Sequence, residues 1–200
     1  MERFEYDSEV RKKFSLICGA DEAGRGPLAG DVYAAAVIFD NDVIIEGIND
    51  SKKLTAKKRE QLYDVIIDKA KAYCIATASV EEIEEINILN AAMLAMRRAI
   101  EGLGILPDVA LIDGNKIPSG LDCRAFAVVK GDATSQSIAA ASILAKVARD
   151  RYMEEIDKKY PQYQFSKHKG YGTKIHYEMI EKHGICEVHR PSFLKKIRDV

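Results

Sequence analysis

Nowhere in the 200 residues do two cysteines stand as a C-x-x-C pair. The four present, Cys18, Cys74, Cys123 and Cys186, are scattered along the chain. That spacing argues against a zinc site and for buried thiols in a reducing cytosol. An excess of either charge is also missing: 30 basic residues face 31 acidic ones, for a net −1 at pH 7. A nucleic-acid partner would therefore have to be held by local basic patches. Apolar runs such as VYAAAVIF fall far short of the ~20 residues that span a bilayer. The N-terminal MERFEYDSEVRKKF is too charged for a secretory signal, so a cytoplasmic protein is expected. Repeats, linkers and low-complexity tracts are absent, and no Gly-Lys-Ser/Thr completes a Walker A loop. What is there, 47% hydrophobic and 30% charged residues, suits one well-cored domain. The domain is expected over residues 15–200, with 1–14 a short lead-in.

The pattern of elements predicts an α/β fold with a mixed sheet flanked by helices and a helical C-terminal segment. Two apolar strands lie on either side of DEAGRGPLAG, residues 21–30. VIIEGI suggests a short third strand, residues 56–73 a helix, and CIATAS a strand. Ser79 with Glu82 forms a capping-box signature before a helix whose core stripe includes Ile83, Ile86, Met93, Met96 and Ile100. DVALID and CRAFAVVKG read as further strands. A long helix is expected from about Thr134 to Tyr160, broken at Pro161. A last helix runs from Lys174 to His183 and stops at Gly184.

The informative acids fall at element ends. Asp21 and Glu22 close the first strand, Asp113 closes VALID, and Asp132 precedes the long helix. Carboxylates converging at such an edge repel one another unless a cation neutralises them. Mg²⁺ suits the task, because it takes one or two carboxylates plus water and phosphate oxygens. A pair of such ions ~4 Å apart can activate water and stabilise a leaving oxygen. Singly, Asp132 also reads as a helix N-cap and Asp113-Gly114 as a tight turn. The glycine-rich turn after Asp21-Glu22 has a steric purpose: its backbone can approach a ligand closely.

GADEAGRGPLAGDV, INDSKKLT, LIDGN, VKGDATSQSIAAASILAKVARDR, YPQYQFSKHKGYGT and HRPSF occur in the order found in bacterial type 2 ribonucleases H, the ribonuclease HII family. The chain resembles that family from about Leu16 to Phe193. The resemblance implies a ribonuclease H-like fold and an endonuclease cutting the RNA strand of RNA–DNA hybrids. It also implies incision 5′ of ribonucleotides embedded in duplex DNA. Asp21, Glu22, Asp113 and Asp132 match the family's acids, expected to bind Mg²⁺ or Mn²⁺, two ions during catalysis. Gly24-Arg25-Gly26 is similar to the element whose backbone reads the ribose 2′-hydroxyl. Type 3 enzymes carry Gly-Lys-Gly there.

By the same resemblance, Tyr171 stacks on the sugar after the ribonucleotide, and Ser51-Lys52 contacts DNA phosphate. Ser135 matches a family position that reads as a cap or a phosphate contact, and Lys146 as structural. Lys167 and Lys169, beside Tyr171 in a stretch without acids, are expected to meet the duplex backbone. Lys57, Lys58 and Arg59 read equally as a solvated helix face. His168, His176, His183 and His189 read as surface or packing residues. Asp31 stands where the family often has proline. No sliding-clamp motif precedes Val200, and a monomer is expected. The other classes considered are a hybrid-binding module without activity and a small-molecule phosphoesterase. The intact acids argue against the first and the basic Tyr171 loop against the second.

Overall fold

The computed structural model describes residues 3–194. Helix α1 (Arg3–Arg11) leads into strands β1 (Ile17–Ala23) and β2 (Val32–Ile38). A 3₁₀ turn at Ser51–Lys53 precedes α2 (Ala56–Lys69), β3 (Ala72–Ala78) and α3 (Val80–Glu101). Then come β4 (Val109–Asp113), β5 (Arg124–Val128), the short α4 (Gly131–Thr134) and the long α5 (Gln136–Lys159). The chain closes with α6 (Phe165–His168), α7 (Lys174–His183) and a 3₁₀ turn at Pro191–Phe193.

The five strands form one mixed sheet in the order β3-β2-β1-β4-β5. β1 pairs antiparallel with β2 and parallel with β4. In that parallel register Ala20 lies opposite Ile112. Continuing the offset by one residue sets Asp21 beside Asp113, so two acids from distant sequence end at one sheet edge.

Helices cover both faces. Alternate residues Cys18, Ala20, Ala34 and Ala36 pack under α3 with Ala92, Ala95, Met96 and Ala99. The opposite alternation, Ala35 and Val37, meets Ala140, Ala141, Ile143 and Leu144 of α5. Small side chains on both partners let helix and sheet approach closely. The approach is tightest at Gly19, where an added Cβ would lie 2.2 Å from the carbonyl carbon of Ser137. The start of α5 is thereby pressed against β1, two residues before Asp21.

Three details depart from the sequence expectations. VIIEGI is not a strand: the side chain of Gln136 stands in for a neighbouring strand. Its Oε1 accepts from Ile45 N–H and its Nε2 donates to the Val43 carbonyl, both at 2.9 Å. Second, α2 ends at Lys69, and Tyr73 belongs to β3, opposite Val37. An Ala-Lys stretch carries no stop signal, so sheet pairing rather than local chemistry ends the helix. Third, Asn87 breaks α3 with φ 67°. Its Oδ1 accepts from the N–H groups of Leu89 and Asn90, which caps the second half of the helix afresh.

Residues 3–11, within the expected lead-in, are helical and anchored. Oδ2 of the buried Asp7 accepts from the Ser137 N–H at 2.9 Å and the Ser137 hydroxyl at 2.7 Å. Arg3 donates to the Asp132 carbonyl and to Asn49. Among the described residues, no helix is long and apolar enough to cross a membrane.

Candidate active site

Asp21 lies near the C-terminal end of β1, on the sheet face covered by α5, and is buried. Burial, then Glu22, then Asp113 hold its carboxyl well above the usual range; Ser142 and the Glu22 N–H act in the other direction. The Glu22 N–H donates to Asp21 Oδ1 at 2.7 Å. Glu22 itself accepts from Arg25 Nη1 at 3.0 Å. Asp113, at the end of β4, accepts at one oxygen from the N–H groups of Gly131 (2.7 Å) and Asp132 (3.3 Å). The capping oxygen at this helix start therefore comes from Asp113, across the sheet edge. Asp132 lies in the first turn of α4 and its side chain is free of that duty. Burial, then Asp113, then Asp50 raise the Asp132 carboxyl, while Lys52 lowers it.

The repulsions thus link Glu22 to Asp21, Asp21 to Asp113, and Asp113 to Asp132. Among the described residues, no three acidic, histidine or cysteine side chains are gathered closely enough to cage a metal by themselves. All four donors are hard carboxylate oxygens. A row of repelling acids, one of them buried, fits a hard divalent cation that completes its shell with water and phosphate oxygens.

A cleft of about 500 Å³ opens beside Asp21. Its walls include Asp21, Glu22, Gly24, Arg25, Gly26, Ser51, Lys52, Ser142, Lys146 and Tyr171. The Ser51 and Ser142 hydroxyls are 3.0 Å apart. Lys146, read from sequence as structural, reaches the cleft while Nζ donates to Asp150 at 2.6 Å. Ser135 is fully buried and caps α5 through Ile138 N–H, so of its two sequence readings the structure displays the cap. Asp31 accepts from Val80 N–H at the start of α3.

Tyr171 is 44% exposed, and its Cε1 would stand 3.7 Å from a Cβ at Gly26. The turn and the aromatic ring therefore face one cleft. Lys169 pairs with Glu154 at 2.8 Å and Lys167 donates to Gln164. The basic stretch lacks acids in sequence but receives one from α5 in space. Under the Tyr171 loop lie three buried histidines. His168 and His176 stack with centroids 4.4 Å apart, and His176 Nε2 is 3.1 Å from His189 Nε2. His176 Nδ1 lies 2.9 Å from the Tyr171 carbonyl. His183 is exposed.

Two residues escaped the sequence reading. Arg190 and Arg149 are the largest fully buried side chains, and both donate to backbone carbonyls around the Gly24–Gly30 turn. The only sequence signal was their place inside the HRPSF and AKVARDR blocks.

Residues 18–196 match the family model described as ribonuclease HII. Ribonuclease HII of Caldicellulosiruptor bescii is 57% identical over 195 residues, which are 97% of this chain and 94% of the relative. Ribonuclease H2 from Pyrococcus horikoshii OT3 superposes with a TM-score of 0.77 at 28% identity, covering 92% of this chain and 97% of its own. The structure of the PCNA:RNase HII complex from Archaeoglobus fulgidus gives 0.71 at 27% identity, covering 88% and 93%.

Proposed function

The chain belongs to the ribonuclease HII family, and from that premise we propose how its residues divide the work. It is an endoribonuclease that hydrolyses the RNA strand of RNA–DNA hybrids. In our reading it also incises 5′ of ribonucleotides embedded in duplex DNA, as the first step of their excision. The products are a 3′-hydroxyl and a 5′-phosphate. The observation that carries the site assignment is the buried Asp21, pressed between Glu22 and Asp113 beside a cleft shared by the Gly24–Gly26 turn and Tyr171.

Metal dependence belongs to the family. Here Asp21, Glu22, Asp113 and Asp132 are the catalytic acids and hold Mg²⁺ or Mn²⁺, two ions during reaction. When bound, such ions neutralise the acids, lower the pKa of water and offset charge on the leaving oxygen. Water attacks the phosphate at the ribonucleotide, and the bond to the 3′ oxygen of the preceding nucleotide breaks. Asp113 fixes the corner that carries Asp132 through its two backbone bonds. Backbone N–H groups of Gly24-Arg25-Gly26 meet the 2′-hydroxyl, the group that separates ribose from deoxyribose. Tyr171 lies against the next sugar. Ser51 and Lys52, on the cleft wall, take phosphate, and Lys167 and Lys169 steer the duplex. The enzyme acts as a monomer in the cytoplasm, where its free cysteines stay reduced. The sequence expectation of no clamp motif extends to residues 195–200, which lie outside the described part of the chain.

A labelled duplex with one ribonucleotide tests this reading, incubated with Mg²⁺, with Mn²⁺ and with EDTA. Nicking is expected with either ion and not with EDTA. Asp21→Asn should cut at least 100-fold more slowly while still binding the duplex. Full activity of that variant, or nicking in EDTA, would remove the assignment.

A further inference from the structure

The geometry points to Arg190 as the positioning residue that sets discrimination between ribose and deoxyribose, a role that rests on the reading of the Gly24–Gly26 turn given above. Its guanidinium is fully buried, lies over the Phe193 ring at 5.3 Å, and sends every described hydrogen bond to a backbone carbonyl of residues 24–30. Nη2 donates to Gly24 O at 2.7 Å and also to Gly30 O. Nη1 donates to Arg25 O at 3.2 Å and Pro27 O at 2.8 Å, and Nε to Gly30 O at 2.8 Å.

The consequence follows from peptide geometry. The described chain has no cis peptide bond, and in a planar trans unit the C=O and the N–H point in opposite directions. Arg190 draws the carbonyls of Gly24 and Arg25 inward. The N–H groups sharing those peptide units, of Arg25 and Gly26, are thereby turned away from the arginine. Both residues line the cleft, so the outward side of the turn is the side where a sugar would lie. A guanidinium is rigid and planar and presents five donors at fixed angles. It therefore fixes the tilt of two consecutive peptide units, which an apolar plug of equal volume could not.

Arg149 braces the same turn from α5. It donates to Ala29 O, Asp31 O and Lys169 O at 3.0, 3.2 and 3.0 Å. Gly24 adopts φ 101°, and a Cβ there would strike Arg149 Nε at 2.2 Å. One bond from this arginine ends two residues before Tyr171, so the hydroxyl-reading turn and the sugar-stacking ring share a support. Burying two neighbouring guanidinium cations is costly unless their donors are satisfied. Here backbone oxygens of residues 24–31 and of Lys169 satisfy them.

Wild type and Arg190→Lys should be compared in single-turnover assays and for kcat and KM, at saturating Mg²⁺. One duplex carries a single ribonucleotide and the other a 2′-fluoro nucleotide at the same position. Fluorine accepts hydrogen bonds poorly, so the ratio of the two rates reports the N–H contact with the 2′ group. Lysine keeps the charge but cannot reach four carbonyls. We expect kcat on the ribonucleotide to fall at least tenfold, KM to stay within about twofold, and the preference over 2′-fluoro to shrink at least fivefold. An unchanged preference, whether or not overall activity falls, would overturn the role and leave Arg190 a packing residue. Should Arg190→Lys lose cooperative melting, Arg190→Gln, whose single amide cannot hold the Gly24 and Arg25 carbonyls together, takes its place under the same criterion. If wild type itself leaves the ribonucleotide uncut, the reading of the turn fails first and this role falls with it.

Discussion

A methyl group added at Gly19 would meet the Ser137 carbonyl carbon at 2.2 Å and the Ile138 nitrogen at 2.3 Å. Both are backbone atoms at the start of α5, so neither can swing aside. Gly19→Ala is expected to cost about 3 kcal/mol or more, on the order of 10 °C in melting temperature for a chain of this size. Gly104→Ala is the comparison: its surroundings are open, and only the strain of φ 69° opposes the substitution. Its loss should stay near 1 kcal/mol. Thermal melts of both variants check the difference, and equal losses would mean that the α5–β1 contact is not tight. At this scale Asp21 and Glu22 were legible because a glycine-rich turn follows them, which sequence displays directly. Arg149 and Arg190 were not, since a buried arginine and a surface arginine are the same letter. Ser135 had two readings in sequence, and only packing shows that its hydroxyl caps α5.

The C-terminal elements carry a pH dependence. His176 and His189 are both pushed down to about 4, chiefly by burial, against an ordinary value of 6.5. The folded state therefore stays unprotonated between about pH 6.5 and 4, while the unfolded chain takes up protons. Stability is present above the unfolded value and is lost as pH falls through that window. By pH 5 the loss should be on the order of 2 kcal/mol per ring. Urea denaturation at pH 7.5, 6 and 5 checks this, and His189→Gln should flatten the profile. A midpoint that does not move between pH 7.5 and 5 would contradict the buried neutral cluster. Capped helices were the legible elements: Ser79 with Glu82, and the stops at Pro161 and Gly184, fall where sequence puts them. The turn at 43–48 was not, because its run of β-branched residues imitates a strand while its partner is one glutamine side chain 91 residues away. Helix α1 was equally hidden, since its buried residue is an aspartate.

The whole molecule carries almost no net charge, so its grip on nucleic acid rests on few cations. Lys52, Lys53 and Lys167 are exposed, whereas Lys169 and Lys159 are matched by Glu154 and Glu187. Neutralising three or four phosphates gives a slope of roughly −3 to −4 for log affinity against log salt. Fluorescence anisotropy of Asp21→Asn on a labelled duplex measures it, and a slope steeper than about −7 would show that paired lysines let go of their acids to bind. The architecture itself was legible because strand and helix periodicities alternate clearly; the order of the strands was not, since a parallel neighbour leaves no local mark. That order has a consequence for biosynthesis. β1 meets β4 only after a crossover through β2, α2, β3 and α3, and the braces of the glycine turn arrive later still, with α5 and Arg190. A ribosome therefore carries the first two acids long before their partners emerge. The row of acids is complete only once Asp132 has been made, and the turn is braced only once Arg190 has.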